Sequence, residues 1–284
     1  MASRYGWTDL PEVVRDGIQE HYGTVSRTTA AQEGQSCDAA LTLYQDGSPP
    51  LFVKAVKGVS REMRWLRNEA EAGQFVDGIA PAVRFQEDIG EWLVVGFEHL
   101  TGRPADLAPT SADLSLVATT LNRLAAIAVP EVRPLSDRWK PHWWEKIAEE
   151  RPDIIAGWDV RELTHWEERA AESVTGDRLV HTDLHEDQFI IDDDHHVHVI
   201  DWGWPASGAP WVDSAFMVIR LIHAGHSPAE AEAWARARTP WTSAADDAVT
   251  AFSVYVAGLW HYRATSEKLA QTARSYAEWR LASS

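Results

Sequence analysis

The chain reads as an α+β protein, and two observations predict it. Short β-rich runs with turn signals fill most of the first hundred residues, whereas helical periodicity dominates after Gly102-Arg103-Pro104. The later half also carries one unmistakable hairpin, from His181 to Trp202, inside its helical texture. No repeat, low-complexity tract or flexible linker interrupts the order. The shift in texture near residues 98–104 is therefore expected to be a hinge, dividing the chain into lobes 1–98 and 99–284.

In order, Ala39–Tyr44 and Leu51–Val56 flank Asp46-Gly47, a two-residue hairpin signal. Residues 60–76 contain helix formers with Gly73 as the only breaker, and predict a helix. Val83–Phe85 and Trp92–Val95 follow as strands, which makes the first lobe a small sheet carrying one helix. Beyond the hinge, Leu114, Val117, Leu121 and Leu124 share one helical face after a Thr110-x-x-Asp113 start. Gln188–Ile191 and Val197–Ile200 are strands, and the polar run 192–196 is their turn. Ser227-Pro228-Ala229-Glu230 opens a helix with a capping box and proline at its first position. Residues 244–281 are mostly helical.

A hairpin folds the chain back, so it draws together the flanking carboxylates Asp183 and Asp201. One carboxylate on a hydroxyl and another on a metal suit phosphoryl transfer from ATP, in which a base receives the nucleophile's proton while Mg²⁺ neutralises phosphate charge. Lys54 lies within an apolar strand, where an ammonium needs a partner. Glu69, in the following helix, is the expected partner, with Glu62 as the competing choice. Gly34-Gln35-Ser36-Cys37-Asp38 precedes the second strand and is the candidate loop for presenting backbone N–H groups to phosphates.

These residues resemble the aminoglycoside phosphotransferase family, relatives of the protein kinases. That family writes H-G-D-x-x-x-x-N and I-D-[FW]; His181, Asp183, Gln188, Ile200, Asp201 and Trp202 stand in register with both motifs. Thr182 replaces the glycine and Gln188 the asparagine. The resemblance implies a bilobal protein-kinase-like fold, with a small antiparallel-sheet lobe and a larger helical one. It also implies that Lys54, Glu69 and Ser36 contact or position ATP (or GTP), and that Glu98 and Leu100 present backbone groups to the base. Phe97 would limit the depth of that pocket. Asp183 would be the catalytic base, and Asp201 with Gln188 would hold Mg²⁺. Gln188 reaches further than asparagine by one methylene, about 1.5 Å. His181 is expected to lock the loop, and Asp213 to support it from a helix start.

The acceptor implied is a hydroxylated small molecule: an aminoglycoside, another antibiotic, or a metabolite of the choline, homoserine or methylthioribose type. A nucleotide-binding protein without turnover is the rival reading, motivated by Gln188. The net charge of −17 argues against nucleic acid or an anionic membrane as partner and favours a cationic substrate. Asp246 and Asp247 are candidates to receive such a substrate; a solvated helix face is the plainer reading of both. The Asp/His-rich run 192–198 likewise reads as a solvated hairpin tip. A single cysteine, Cys37, precludes an internal disulfide. With no apolar leader and no bilayer-length apolar run, the expectation is a cytoplasmic protein of unspecified oligomeric state.

Overall fold

The computed structural model describes residues 5–31, 37–129, 131–263 and 266–283. The chain begins with helix α1 (Glu12–Tyr22) and strands β1 (Arg27–Ala30), β2 (Ala39–Tyr44) and β3 (Leu51–Lys57). Helix α2 (Arg61–Ala72) and strands β4 (Val83–Ile89), β5 (Trp92–Glu98) and β6 (Arg103–Pro104) follow. Helices α3 (Asp113–Ala125), α4 (Trp143–Glu150), α5 (Pro152–Ile155) and α6 (Val160–Ser173) lead to strands β7 (Arg178–Val180), β8 (Phe189–Ile191), β9 (Val197–Val199) and β10 (Ala206–Gly208). The chain closes with α7 (Val212–His223), α8 (Pro228–Arg238), α9 (Asp246–Tyr262) and α10 (Glu267–Leu281).

Two compact units emerge: Met1–Pro104 with Gln188–Pro205, and Ala105–Asp187 with Ala206–Ser284. The expected single cut at residue 98 is thus replaced by a division that returns to the first unit. The hairpin β8–β9, expected within the helical lobe, belongs to the first unit. The reason is hydrogen bonding between distant segments: β6 pairs with β8, and the Val199 N–H donates to the Ile79 carbonyl at 2.8 Å.

In the first unit, β1-β2-β3-β5-β4 form an antiparallel sheet. Side chains alternate across it. Leu51, Val53 and Ala55 of β3 join Leu10, Val14 and Ile18 on one face. Val56, with Phe52 packed alongside, joins Leu66 and Ala70 of α2 on the other. That alternation puts Lys54 on the α2 face. Helix α1 was absent from the expected one-helix lobe: Val14 and Ile18, four residues apart, make a stripe too short to stand out, yet both join the core on one sheet face. Gly17 permits the close approach, since a Cβ there would lie 2.5 Å from Ile89 Cδ1. Helix α2 begins where Ser60 Oγ accepts the Met63 N–H at 3.1 Å.

The second unit is built around α9, whose Phe252 and Tyr255 are covered by Trp139, Trp211 and Phe216. Trp139 stacks on Tyr255 with ring centroids 4.1 Å apart. Most of the tryptophans concentrated here are packing residues. The capping box at α8 forms as written. The one expected at Thr110 does not: Thr110 has φ 73°, and Asp113 turns its carboxylate to the Asp106 N–H at 2.9 Å.

Glu167 of α6 is buried and accepts the His142 and Trp143 N–H groups at 2.9 and 3.0 Å, which caps α4. Burial pushes its carboxyl up to about 7, against the pull of those N–H donors. A carboxyl raised in the native state binds its proton more tightly there than in the unfolded chain. Its contribution to stability is therefore greatest at low pH and falls as pH rises toward 7, at no more than about 1.4 kcal/mol per unit. Glu167→Gln should flatten that slope in denaturant titrations at pH 5 and pH 7.5; an unchanged slope would assign it to another group.

Candidate functional site

Lys54 pairs with Ala40 on one side and Val95 on the other, in the middle of the sheet. Only 8% of it is exposed, so its ammonium needs compensation. Glu69 of α2, equally buried, takes it with both oxygens at 2.9 and 3.0 Å. Asp201 takes it as well through Oδ1. Burial pulls the Lys54 pKa down, but the charges of Glu69 and Asp201 outweigh burial and hold it above its usual value. The lysine is therefore a permanent cation. Glu62, the competing helix carboxylate, pairs with Arg61 at the surface instead.

Asp201 and Gln188 stand at the open end of the β8–β9 hairpin. The register pairs Phe189 with Val199, and the Ile200 N–H donates to the Gln188 carbonyl at 3.0 Å. Asp201 adopts φ 63°, a left-handed conformation that aspartate tolerates better than most residues. The segment after it is tied to α2: Asn68 Nδ2 donates to the Gly203 carbonyl at 3.0 Å, and Trp204 packs on Trp65. One helix thus holds the Asp201 segment both through Lys54 and directly through Asn68. Among the described residues, no group of three or more His, Cys, Asp and Glu forms a metal cage. A lone carboxylate at a hairpin end that also carries one amide residue fits Mg²⁺, which keeps waters and shares phosphate oxygens, and does not fit a closed zinc site. The hairpin tip is a hydrogen-bonded turn: Asp192 Oδ1 accepts the Asp194 and His196 N–H groups at 2.9 and 2.8 Å.

In the second unit, the loop 181–187 is anchored from α7. Asp213 accepts the His181 and Thr182 N–H groups at 2.8 and 3.0 Å, and burial pushes its carboxyl up despite the His181 charge and those donors. His181 is buried, with Nδ1 3.4 Å from the Asp183 N–H, so it locks the loop. Thr182 has φ 71°, an uncommon conformation for a β-branched residue. That explains why glycine suits the position. Asp183 is open to solvent, and one oxygen, Oδ1, faces Arg220 Nη2 at 3.5 Å. His185 is pushed below its usual pKa by burial and then by Arg220.

The remaining expected residues fall as follows. The Glu98 N–H donates to the Ala82 carbonyl at 2.8 Å, and its side chain accepts the Ala82 N–H at 3.2 Å. Leu100 follows β5, and its N–H has no hydrogen-bond partner among the described residues. Phe97 is buried on the α2 face, its ring 5.8 Å from Lys54 Nζ. Ser36 lies outside the described residues. A cavity of about 520 Å³ lined by His21, Tyr22, Phe85 and His99 opens on the α1 side of the sheet, opposite Lys54. Asp246 and Asp247 are not free acids: Arg236 and Arg280 hold the first, and Arg169 the second. Asn68 and Arg220 are the residues the sequence reading missed. Arg220 left a signal: it stands seven residues after Asp213 in an otherwise apolar helix, which puts both charges on one face.

A sequence profile described as the phosphotransferase enzyme family, APH, matches residues 23–250. No curated protein matches in a sequence search. Among solved structures, choline kinase LicA from Streptococcus pneumoniae is similar at 14% identity and TM-score 0.65, covering 96% of this chain and 99% of its own. A thermostable mutant of aminoglycoside phosphotransferase APH(4)-Ia, in complex with AMP-PNP and hygromycin B, gives 15% and 0.62, with 95% of each chain covered. Spectinomycin phosphotransferase APH(9)-Ia with ADP and spectinomycin gives 13% and 0.60, covering 93% and 92%. At these identities the likeness establishes a shared α+β, protein-kinase-like fold.

Thr182→Gly should relieve the left-handed strain. Set against the greater freedom of glycine when unfolded, the net gain is about 0.5–1 kcal/mol. Denaturant unfolding measures it; a loss of stability would mean that Thr182 gains more from its contacts than its backbone gives up.

Proposed function

The chain belongs to the phosphotransferase enzyme family, and from that premise we propose that it moves the terminal phosphoryl group of ATP or GTP to a hydroxyl of a small molecule. The observation that carries the reading is the buried Lys54 ammonium, shared between Glu69 and Asp201. A cation kept charged and fixed in place is what phosphate oxygens require, and a purely structural strand position has little use for it. Absence of a membrane-spanning helix among the described residues is compatible with a diffusible acceptor.

In this reading Lys54 binds the nucleotide phosphates and Glu69 holds Lys54 in place. Ser36 is assigned to phosphate contact by the resemblance alone; the Glu98 carbonyl and the Leu100 N–H meet the edge of the base. Asp201, with Gln188, would hold Mg²⁺, which would supply charge neutralisation on the phosphates. Asp183 orients the acceptor hydroxyl and receives its proton. The hydroxyl oxygen bonds to the terminal phosphorus as the bridging P–O bond breaks, and the nucleoside diphosphate leaves with the electron pair.

An antibiotic acceptor, aminoglycoside or other, is the first reading, supported by the similar enzymes with hygromycin B and spectinomycin and by the acidic chain. A neutral or singly charged metabolite is the second reading. It is favoured by the arginine pairing of Asp246 and Asp247, which leaves less free acid for a polycation.

Incubation with Mg·ATP and a panel of aminoglycosides, other hydroxylated antibiotics, choline, homoserine and methylthioribose should give ADP and one product heavier by a phosphoryl group. Asp183→Asn should cut kcat by about 10²-fold or more with nucleotide binding retained. Lys54→Met should weaken ATP binding, read by calorimetry. ATP binding without turnover on any acceptor would point to a nucleotide-binding protein, and full turnover in Asp183→Asn would remove the proposed base.

A further inference from the structure

We propose that Arg220 is a positioning residue that aims the Asp183 carboxylate; the inference rests on the phosphotransferase reading given above. The two side chains are unequal. The Arg220 side chain is 12% exposed and that of Asp183 57%, so a largely covered cation reaches out to a solvent-facing acid rather than two surface charges meeting. Its guanidinium lies over the Trp260 ring at 5.2 Å, a cation–π contact that favours this placement of the fork. Asp183 Oδ1 is its hydrogen-bond partner among the described residues, at 3.5 Å, and its buried Nε has none. An arginine whose Nε is buried without a partner is a poor stabilising device. A cation at the last turn of α7 would complement the helix dipole equally well from the surface, at lower desolvation cost.

Burial makes sense if direction is what matters. Asp213 and Arg220, seven residues apart on α7, grip the same loop at two levels. Asp213 holds the backbone of His181 and Thr182, and Arg220 reaches the Asp183 side chain. Holding Oδ1 restricts rotation of the carboxyl and leaves Oδ2, which has no partner among the described residues, to accept the hydroxyl proton. One rigid helix thereby sets both the position of the base and its orientation.

The test is steady-state turnover of Mg·ATP, first with water as the acceptor and then with any acceptor found, for wild type, Arg220→Met, Arg220→Lys, Asp183→Asn and the Arg220→Met/Asp183→Asn pair. Arg220→Met keeps the apolar stem on Trp260 and removes the charge; melting curves report whether it folds. Expected is a kcat reduced by about 10-fold or more in Arg220→Met with the ATP KM unchanged. Arg220→Lys should fall between it and wild type, and the double variant should be no slower than Asp183→Asn alone. Wild-type kcat in Arg220→Met, or losses that multiply in the double variant, would overturn the proposal. Should Arg220→Met fail to fold, Arg220→Lys decides: full activity there overturns the need for a fork. A wild type that neither binds nor turns over ATP defeats the phosphotransferase reading instead. The pairing is then judged from unfolding midpoints of the same four-member cycle, in which strictly additive shifts would overturn it.

Discussion

An ammonium buried in the middle of a five-stranded sheet is the constraint from which the first unit follows. Lys54 cannot remain charged among Val53, Ala55 and Val95 unless carboxylates come to it, and removing one partner of such a pair typically costs about 3–5 kcal/mol. Glu69 answers from α2, so α2 must pack on the Lys54 face in one rotational setting. Asp201 answers from the end of a hairpin more than a hundred residues later, so that hairpin must join the first unit. Asn68, next to Glu69, fastens the Gly203 carbonyl and closes the arrangement. The position of the Asp201 carboxylate is thus a consequence of solvating one lysine.

The second unit meets a different constraint, in the backbone. The loop from His181 to Asp187 turns through a left-handed Thr182, and such a conformation persists only when its surroundings over-determine it. Asp213 supplies two acceptor oxygens to adjacent N–H groups, and His181 adds a third contact from within the loop. The loop is held by polar bonds at its root and leaves Asp183 exposed. The loop thus combines a fixed root with an open tip.

Several features were legible because they are local. The Asp46-Gly47 turn, the Ser227 capping box and the β8–β9 hairpin each follow from residues adjacent in the chain. The Lys54–Glu69 partnership was legible because an apolar strand with one lysine demands an acid, and a helix follows at once. Helix α1 was not, since its buried stripe is only two residues long and becomes meaningful against Leu41, Leu43 and Ile89. Arg220 was not, because a cation near a helix C-terminus is commonplace until its neighbour is known to be Asp183.

Residue order alone determined strands β2–β5, β8 and β9, helices α2, α3 and α8, the α+β succession and the motif carrying Asp183 and Asp201, since propensity, periodicity and turn chemistry act over a few residues. Tertiary structure decided which unit owns the hairpin, which carboxylates remain free and which are taken by arginines, and what faces Asp183. Those outcomes depend on hydrogen bonds and ion pairs between segments tens to more than a hundred residues apart. Only the packed chain brings such groups within the roughly 3 Å at which they act.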